Sequence, residues 1–366
     1  MDFAAGDELK LMRKAIREFA QDVVAPLAKV MEKTGRMPPE LRAALAAQGL
    51  CGISVPFAYG GTQMTSLERL LALKEVAKVS PACAVYLAAQ HTAAVAVLEA
   101  GGERRKEELL PDLAAGRTTV ALGLYACPGS PLVFRITDDG SYRLDGRVAW
   151  CQGDRQPAWF LLEAQDGAES PALFILPHPT AGVEYGSTTP AGLRGSQAGP
   201  LALSDVYLPP GSRLAGFRTP AAGNPVAAVQ SLGFAAAALG VMEAAMDAGR
   251  DFARKRVLYG NPIAHLQSVQ FRLADMFADL EAARFMTYRA ATLFDQDKAT
   301  PLDLYSLHRF VKNAAVRNSR KAVEIFGGYG ALKDFPVERC LRDAQALSAG
   351  GFPVRLPGAP AGPRPL

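Results

Sequence analysis

Three small groups of residues in this sequence have types and spacings that could serve chemistry. The basic run at 254–256 ends a predicted helix, where it could clamp a phosphate or simply suit the charge of a helix C-terminus. Gly327 and Gly328 could let the backbone approach a ligand closely, or could cap a helix. Trp150 closes a predicted strand and is either a core aromatic or a stacking surface for a planar ring. Each group alone leaves both interpretations open.

Composition and charge exclude several other function classes. The chain has 366 residues and a net charge of +4, with no basic run dense enough to predict a nucleic-acid partner. Four scattered histidines and five scattered cysteines predict neither a metal site nor a disulfide framework. No G-x-S-x-G, Walker or strand-linked G-x-G-x-x-G motif occurs.

The same sequence features argue against export and membrane insertion. The first ten residues contain acids and no apolar signal segment. The Ala-rich run at 234–245 is too short to span a membrane. We therefore expect a soluble cytoplasmic protein with no membrane partner.

The elements that must position these residues fall into three segments. Apolar residues that recur every three or four positions predict helices, the first with a kink at Pro26. These helices are expected at 8–33, 39–48, 66–78, 82–100, 104–115, 225–256, 268–295 and 302–326. Short β-rich runs between turns predict strands at 119–125, 142–150, 158–162, 172–176 and 201–208. Such strands suggest a small sandwich or barrel.

This order predicts three domains and a tail. We expect a helical N-terminal domain at 1–117, a β middle domain at 118–216 and a helical C-terminal domain at 217–352. Residues 353–366 form a Pro-rich tail that cannot make a packed helix.

Four blocks, in order, resemble the acyl-CoA dehydrogenase family across nearly the whole chain. They are GLCGISVPFAYGG (49–61), GLRGSQAGPLALSDVYLPPGSRLAG (192–216), RKRVLYGNPIAHLQSVQFRLADM (254–276) and EIFGGYGALKDFPVERCLRD (324–343). The resemblance implies an α+β multidomain fold, with an α-helical N-domain, a β-barrel-like middle domain and a C-terminal four-helix bundle. It also implies tetramers built as dimers of dimers, with FAD at subunit interfaces.

The reaction that the resemblance implies is α,β-dehydrogenation of an acyl-CoA or another acyl thioester. A carboxylate base removes the α-hydrogen, and the β-hydrogen leaves as a hydride to FAD. Hydrogen bonds to the thioester carbonyl stabilise the developing enolate.

The resemblance assigns FAD contacts to several positions. Arg256 matches an arginine on the pyrophosphate, Gln267 matches a glutamine on FAD, and Tyr259 replaces the usual phenylalanine of that signature. Gly327 and Gly328 match glycines against which the partner subunit's FAD lies.

Other positions near the flavin follow the family pattern only in part. Trp150 matches the tryptophan beside the flavin ring, but Gln152 replaces the threonine whose hydroxyl reaches flavin N5. The loop at 124–132 is two residues shorter than the family loop, and Ser130 is among its few matching residues. Glu324 replaces a glutamine and would place a negative charge near a dinucleotide.

The catalytic base of the family has no counterpart here. The two positions at which the family carries its glutamate are occupied by Gly351 and Gln230, and Glu243 lies several turns away. A neutral glutamine cannot act as a general base, and losing a positioned base typically costs about 10²- to 10⁴-fold in rate. The sequence therefore leaves this chain without a catalytic residue of its own.

Three main hypotheses remain open, beside an ordinary homotetrameric dehydrogenase that uses a base not identified in the sequence. In the first, the chain is a dehydrogenase-type subunit, and a related partner chain supplies the glutamate. In the second, it is a homo-oligomeric flavin oxidase or monooxygenase with altered chemistry. In the third, it is a non-catalytic module that has lost FAD and binds an acyl thioester or a partner protein. In the second hypothesis Cys151 could lie near the flavin ring, although a small buried residue is the interpretation we favour.

Overall fold

The computed structural model of this chain describes residues 7–124, 131–154, 156–166, 172–186, 188–214 and 225–350. Within these ranges helices come first, a sheet follows and helices return. This order confirms the predicted fold class. Ser130, Gly351, Cys127 and the tail at 353–366 lie outside the described residues.

The N-terminal segment consists of helices packed around a continuous apolar core. They are α1 (Asp7–Phe19), α2 (Ala25–Thr34), α3 (Pro39–Ala47), α4 (Ser66–Val79), α5 (Pro81–Ala100) and α6 (Glu103–Ala114). The predicted kink near Pro26 is a π-helical turn, Ala20–Val24, that joins α1 to α2. Pro26 follows this turn within a helix that continues from α1 into α2, so its missing N–H interrupts the helical hydrogen bonds at the same place.

The middle segment is one seven-stranded mixed sheet. Its strands are β1 (Val120–Gly123), β2 (Val133–Ile136), β3 (Tyr142–Gly153), β4 (Trp159–Ala164), β5 (Ala172–Pro177), β6 (Val183–Tyr185) and β7 (Gln197–Leu208). The strand order is β5-β4-β1-β3-β7-β6, with β2 also paired to β3; β1 and β4 are parallel and the other pairs are antiparallel.

The described strands do not close into a barrel, so the expectation of a barrel-like middle domain is wrong in that detail. One edge of β3 is shared, because its first half pairs with β2 and its second half with β1. The sheet therefore branches at β3, and its outer strands β5 and β6 have no described pairing with each other.

The C-terminal segment is a bundle built around one long helix. Its elements are α7 (Pro225–Lys255), β8 (Val257–Leu258), β9 (Asn261–Pro262), α8 (Gln267–Asp295), α9 (Pro301–Phe326) and α10 (Pro336–Ala349). Helix α7 contacts α8, α9 and α10, and also α4 and α5 of the first segment. A Cβ at Gly233 would lie 2.6 Å from the Ala88 Cβ, and one at Gly240 would lie 2.5 Å from the Ala77 Cβ. The helices therefore approach too closely for any larger residue at these positions.

Two helices, α5 and α7, are long and apolar enough to cross a membrane by length and composition. The Ala-rich run expected to be too short for a span thus belongs to a 31-residue helix. However, 89% of the apolar window of α5 and 94% of that of α7 are buried inside the fold. Both helices therefore serve as core helices in this structure.

A buried ion-pair network joins α1, α4, α7 and α8. The Lys74 ammonium lies 3.0 Å from carboxylate oxygens of both Glu75 and Glu243. Arg13 and Arg17 donate to Glu75 from α1. Burial alone would raise the pKa of Glu75, but its hydrogen bonds to Arg17, Lys74 and Arg13 outweigh that effect and lower the pKa to about 2.

Replacing Glu75 with Gln should destabilise the protein by about 3 kcal/mol at neutral pH, because Lys74 would lose one of its two buried partners. Since the pKa of Glu75 is depressed, its contribution is fully present above the ordinary carboxyl pKa and is lost as the pH falls toward 2. Urea unfolding should therefore show a difference in the free energy of unfolding between wild type and Glu75→Gln that becomes smaller as the pH is lowered from 6 to 3. The exposed Glu107→Gln is the matched control. A difference that does not depend on pH would contradict this assignment.

Candidate functional site

The basic end of α7 leads directly into a tight hairpin. Tyr259 and Gly260 form its two-residue turn, both with positive φ, 50° and 82°. This is the pattern of a type I′ turn, which joins β8 to β9. Tyr259 is fully exposed, and the hairpin is closed by the Ile263 N–H, which donates to the Arg256 carbonyl at 2.8 Å.

Arg256 is held at this end of the bundle by an aromatic ring. Its guanidinium lies 5.3 Å from the centre of the Tyr329 ring, a cation–π distance. Beneath them Phe252 stacks on Phe326 at 4.0 Å, and Phe335 packs edge-on against both Phe326 and Tyr329. Among the described residues no carboxylate pairs with Arg256, so its charge is available to an anion.

Gly327 and Gly328 lie beside this arginine, in the turn that carries Tyr329. Gly327 ends α9 with φ 59° and ψ −135°, a conformation that favours glycine. A Cβ at Gly327 or Gly328 would meet nothing within 4 Å, whereas one at Gly330 would lie 2.6 Å from the Val323 carbonyl oxygen. Packing therefore requires glycine at Gly330, while the other two expose open backbone.

Gln267 joins the same end as the exposed first residue of α8. A short 3₁₀ turn, Ile263–His265, leads from β9 into that helix. The Arg272 guanidinium of α8 donates to the Glu324 carboxylate of α9 at 3.2 Å, which ties the start of α8 to the end of α9. The structure thus brings Arg256, Gln267 and the Gly327–Gly328 turn to one end of the bundle.

The negative charge of Glu324 is balanced by neighbouring arginines. Besides Arg272, it accepts a hydrogen bond from Arg320 at 3.1 Å. Two guanidinium groups therefore face the acid that replaces the family's glutamine, which reduces its repulsion of an anion nearby.

Trp150 and Gln152 lie apart from this group, on β3. Trp150 is half-buried at a register shift of β3 against β7, between Val148 and Cys151. Gln152 is buried, and its Nε2 donates to the Ser196 hydroxyl at 3.3 Å. No described contact joins these residues to Arg256, so within one chain the predicted cofactor residues form two separate groups.

Cys151 is a buried residue, as the favoured interpretation expected. Its side chain is fully covered, and burial raises the pKa of the thiol. Its thiol is therefore neutral and no candidate nucleophile at ordinary pH. Among the described residues no group of three or more His, Cys, Asp or Glu side chains could hold a metal ion.

Gln230, one of the two expected base positions, lies inside α7 with only 1% of its surface exposed. Neither its Oε1 nor its Nε2 has a hydrogen-bond partner in the described part of the chain. One turn later, the Phe234 ring lies 3.1 Å from where a Cβ of Gly350 would stand. The end of α10, directly before Gly351, therefore approaches α7 beside Gln230.

Glu243, the acid farther along α7, forms ion pairs with Lys74 and Arg284. Both of its carboxylate oxygens accept from Lys74 at 3.0 Å, and Arg284 donates to it at 3.0 Å. A carboxylate paired in this way is part of the ion-pair network and is not placed as a free base.

The residues that sequence reasoning missed are Arg342 and Asp343 of α10. Arg342 donates to the Ala191 carbonyl and to Glu32, both at 2.7 Å. Buried Asp343 accepts from the Leu193 N–H at 2.6 Å, at a residue whose φ is 53°. This clamp fixes the segment before β7, and through Ser196 it reaches Gln152. Arg342 and Asp343 belong to the family block at 324–343, but the sequence of that block does not show that they bind the segment at 191–193.

Asp343 should give the protein a distinctive pH dependence. Burial raises its pKa to about 6, against the partial opposition of the Leu193 hydrogen bond. The folded state then binds more protons than the unfolded state, so this group costs about 3 kcal/mol of stability as the pH rises from about 4 to 6. Asp343→Asn should remove that slope while keeping an acceptor for Leu193.

The measurement is urea unfolding at several pH values between 4 and 7.5. The exposed Asp138→Asn serves as the matched control and should retain the wild-type slope. Asp343→Leu, which removes the acceptor, should be destabilised at every pH. An unchanged slope in Asp343→Asn would show that Asp343 ionises normally.

Comparison with known proteins gives consistent matches over nearly the whole chain. The profile described as "Acyl-CoA dehydrogenase, N-terminal domain" matches residues 6–117, and "Acyl-CoA dehydrogenase, C-terminal domain" matches residues 228–351. The chain is 35% identical to an acyl-CoA dehydrogenase of Bacillus subtilis over 354 residues, 92% of each chain.

Two further relatives have more specific names. A short-chain specific acyl-CoA dehydrogenase of Clostridium acetobutylicum is 30% identical over 361 residues, 94% of each chain. The solved structure of butyryl-CoA dehydrogenase from Megasphaera elsdenii superposes with a TM-score of 0.86 at 29% identity, covering 96% of this chain and 97% of that one.

Proposed function

Because this chain belongs to the acyl-CoA dehydrogenase family of flavoprotein oxidoreductases, we propose that it binds FAD and takes part in the α,β-dehydrogenation of an acyl thioester. In this proposal a related partner chain supplies the catalytic glutamate. The site of action is the cytoplasm.

The chemistry of the residues at the bundle end fits the dinucleotide. FAD carries a diphosphate, and Arg256 offers an exposed guanidinium with no carboxylate partner among the described residues. The open backbone of Gly327 and Gly328 permits a ligand to come close. Gln267 offers an exposed amide, and Tyr259 lines the same end. Held there, FAD would supply the acceptor for the hydride that leaves the β-carbon of the acyl group.

On the sheet, Trp150 is the residue we assign to the flavin ring. Its half-buried indole can pack against a planar system. Gln152, two residues along β3, is fixed in position because its amide is bound to Ser196. Ser130 completes the proposed set on the family pattern.

The observation that carries the proposal is the exposure of the cofactor residues at the bundle end. Around them the neighbouring elements expose large apolar side chains, among them Val257, Leu258, Leu266, Phe271 and Leu332. Apolar surface of this kind marks an interface between proteins. A second family chain seated on this end would cover it and would bring its own groups to the cofactor.

We assign the glutamate to a partner because neither position at which the family carries its base holds a carboxylate in this chain. Gln230 is neutral, Gly351 has no side chain, and Glu243 is held by Lys74 and Arg284. The chain would therefore position cofactor and substrate, while the proton is removed by a carboxylate from outside it. Butyryl-CoA is the first substrate to test, given the short-chain relatives.

A homo-oligomeric flavoprotein with altered chemistry, an oxidase or monooxygenase, is the alternative. It is favoured by Gln152, whose amide is directed to Ser196 where the family has a threonine hydroxyl for the flavin. A module that has lost FAD altogether is the third possibility that the following experiment separates.

The visible absorption spectrum tests these alternatives directly. We expect the chain purified alone to be colourless, and to gain about one FAD per chain when it is coexpressed with a family member that carries Tyr-Glu-Gly-Thr. Size-exclusion chromatography should then show one complex containing both chains. Full flavin in the chain alone would favour altered chemistry, and no flavin in either preparation would favour the binding module.

Arg256→Ala should weaken FAD binding about 10- to 100-fold, because one charge-assisted hydrogen bond to an anion is lost. Circular dichroism should show an unchanged fold, since the side chain is exposed. Arg254→Ala removes the same charge two residues away and should leave flavin occupancy unchanged. Equal occupancy in wild type and Arg256→Ala would remove Arg256 from the site.

A further inference from the structure

A polar cavity lies between the start of α3 and the end of β3, and we call it the Arg36 cavity. Its volume is about 510 Å³, which is the size of a small-molecule site. Five polar or charged side chains line it, and they are Arg36, Arg42, Tyr86, Asp154 and Gln156. Such a lining suits a polar ligand, because an apolar one would leave these groups without partners.

The Tyr86 hydroxyl is a donor that the protein leaves unused. Tyr86 lines the cavity and is only 3% exposed, yet within the described residues its hydroxyl has no hydrogen-bond partner. Buried polar side-chain atoms usually have one, because they lose their bonds to water on folding. Burial also raises the pKa of Tyr86, so the hydroxyl keeps its proton and can donate at neutral pH.

The charges around the cavity leave one cation without a partner. Arg42 forms an ion pair with Asp154. Arg36 is exposed, and in the described part of the chain no carboxylate pairs with its guanidinium. A β-bridge to Gly195 fixes the backbone of Arg36 at the cavity wall. Two arginines and one aspartate give the lining an excess of one positive charge.

A second cavity provides room for the rest of a ligand. Its volume is about 610 Å³, and Arg42 and Gln156 line both cavities as a common wall. Pro157, Ala158 and Pro179 add apolar surface to it. The space is therefore larger than a bare inorganic ion needs, and it suits an organic molecule whose charged group lies in the Arg36 cavity.

We propose that the Arg36 cavity binds the carboxylate or phosphate group of a small organic anion, held by the Arg36 guanidinium and the Tyr86 hydroxyl. A guanidinium binds either group through paired N–H donors, and a hydroxyl adds a third donor. An uncharged ligand would leave Arg36 unpaired, and a cation would be repelled by the excess positive charge. The site goes beyond the proposed function, since no residue assigned to FAD lines the cavity.

The test is isothermal titration of the full-length chain with glycerol 3-phosphate and with succinate, which separates a phosphate site from a carboxylate site. Glycerol and succinamide are the uncharged counterparts, and all titrations are made at one ionic strength. We expect one of the two anions to bind with a Kd below about 1 mM, and its uncharged counterpart not to bind.

Two variants test the named side chains. Arg36→Gln and Tyr86→Phe should each weaken binding of that anion about tenfold, because each removes a donor to a charged group. Arg309→Gln and Tyr305→Phe, at exposed positions of α9, are the matched controls and should bind as wild type does. In the ligand-free protein Tyr86→Phe should keep the wild-type Tm within about 1 °C, since the hydroxyl has no protein partner to lose.

The opposite results would overturn this site. They are failure of both anions to bind wild type, equal binding by wild type and both variants, or binding of an uncharged counterpart as tight as that of its anion. A clearly lower Tm in Tyr86→Phe would show that the hydroxyl is bonded within the protein. Displacement of the anion by FAD would assign the cavity to the cofactor. None of these results decides the proposed function, which depends on flavin occupancy with and without a partner chain.

Discussion

The packing of α7 is the constraint on which the rest of the structure depends. Residues Val226 to Met242 of this helix are all buried, and the helix contacts helices of both the N-terminal and the C-terminal segments. Gly233 and Gly240 permit the approach, since a methyl group at either would overlap an alanine of α5 or α4. A helix enclosed in this way has little tolerance for polar side chains. Polar groups in its enclosed part therefore need partners, as Glu243 has in Lys74 and Arg284; Gln230, which has none among the described residues, is the exception.

That constraint also determines where charged side chains lie along the helix. The charged residues of α7 lie in its C-terminal half, from Glu243 to Lys255, and Arg256 follows directly, beside the Gly327–Gly328 turn. The buried part from Val226 to Met242 carries no charged side chain. Glu243, the first carboxylate along the helix, is paired with Lys74 and Arg284 and so links α7 to α4 and α8.

Much of this arrangement could be predicted from the sequence, because apolar residues recur every three or four positions along the long helices. Helices α4 to α9 begin and end within a residue or two of expectation. Strands β2 and β6 were not predicted, because they have only four and three residues and Arg135 and Glu184 interrupt their apolar residues. The branching of the sheet at β3 and the hydrogen bond from Leu193 to Asp343 depend on contacts between distant segments. The unpaired state of Gln230 is likewise a property of packing and has no sequence signal.

The long-range capping of α4 has a consequence for biosynthesis. The first two backbone N–H groups of α4, at Ser66 and Leu67, donate to Asp295, which lies 229 residues after Ser66. Lys74 likewise binds Glu243, and Glu32 binds Arg342, so both pairs join residues that are far apart in the sequence. A nascent chain emerging from the ribosome therefore carries N-terminal helices in which the start of α4, Lys74 and Glu32 still lack some of their native partners. The N-terminal segment gains its full set of native contacts only when the C-terminal helices have been translated.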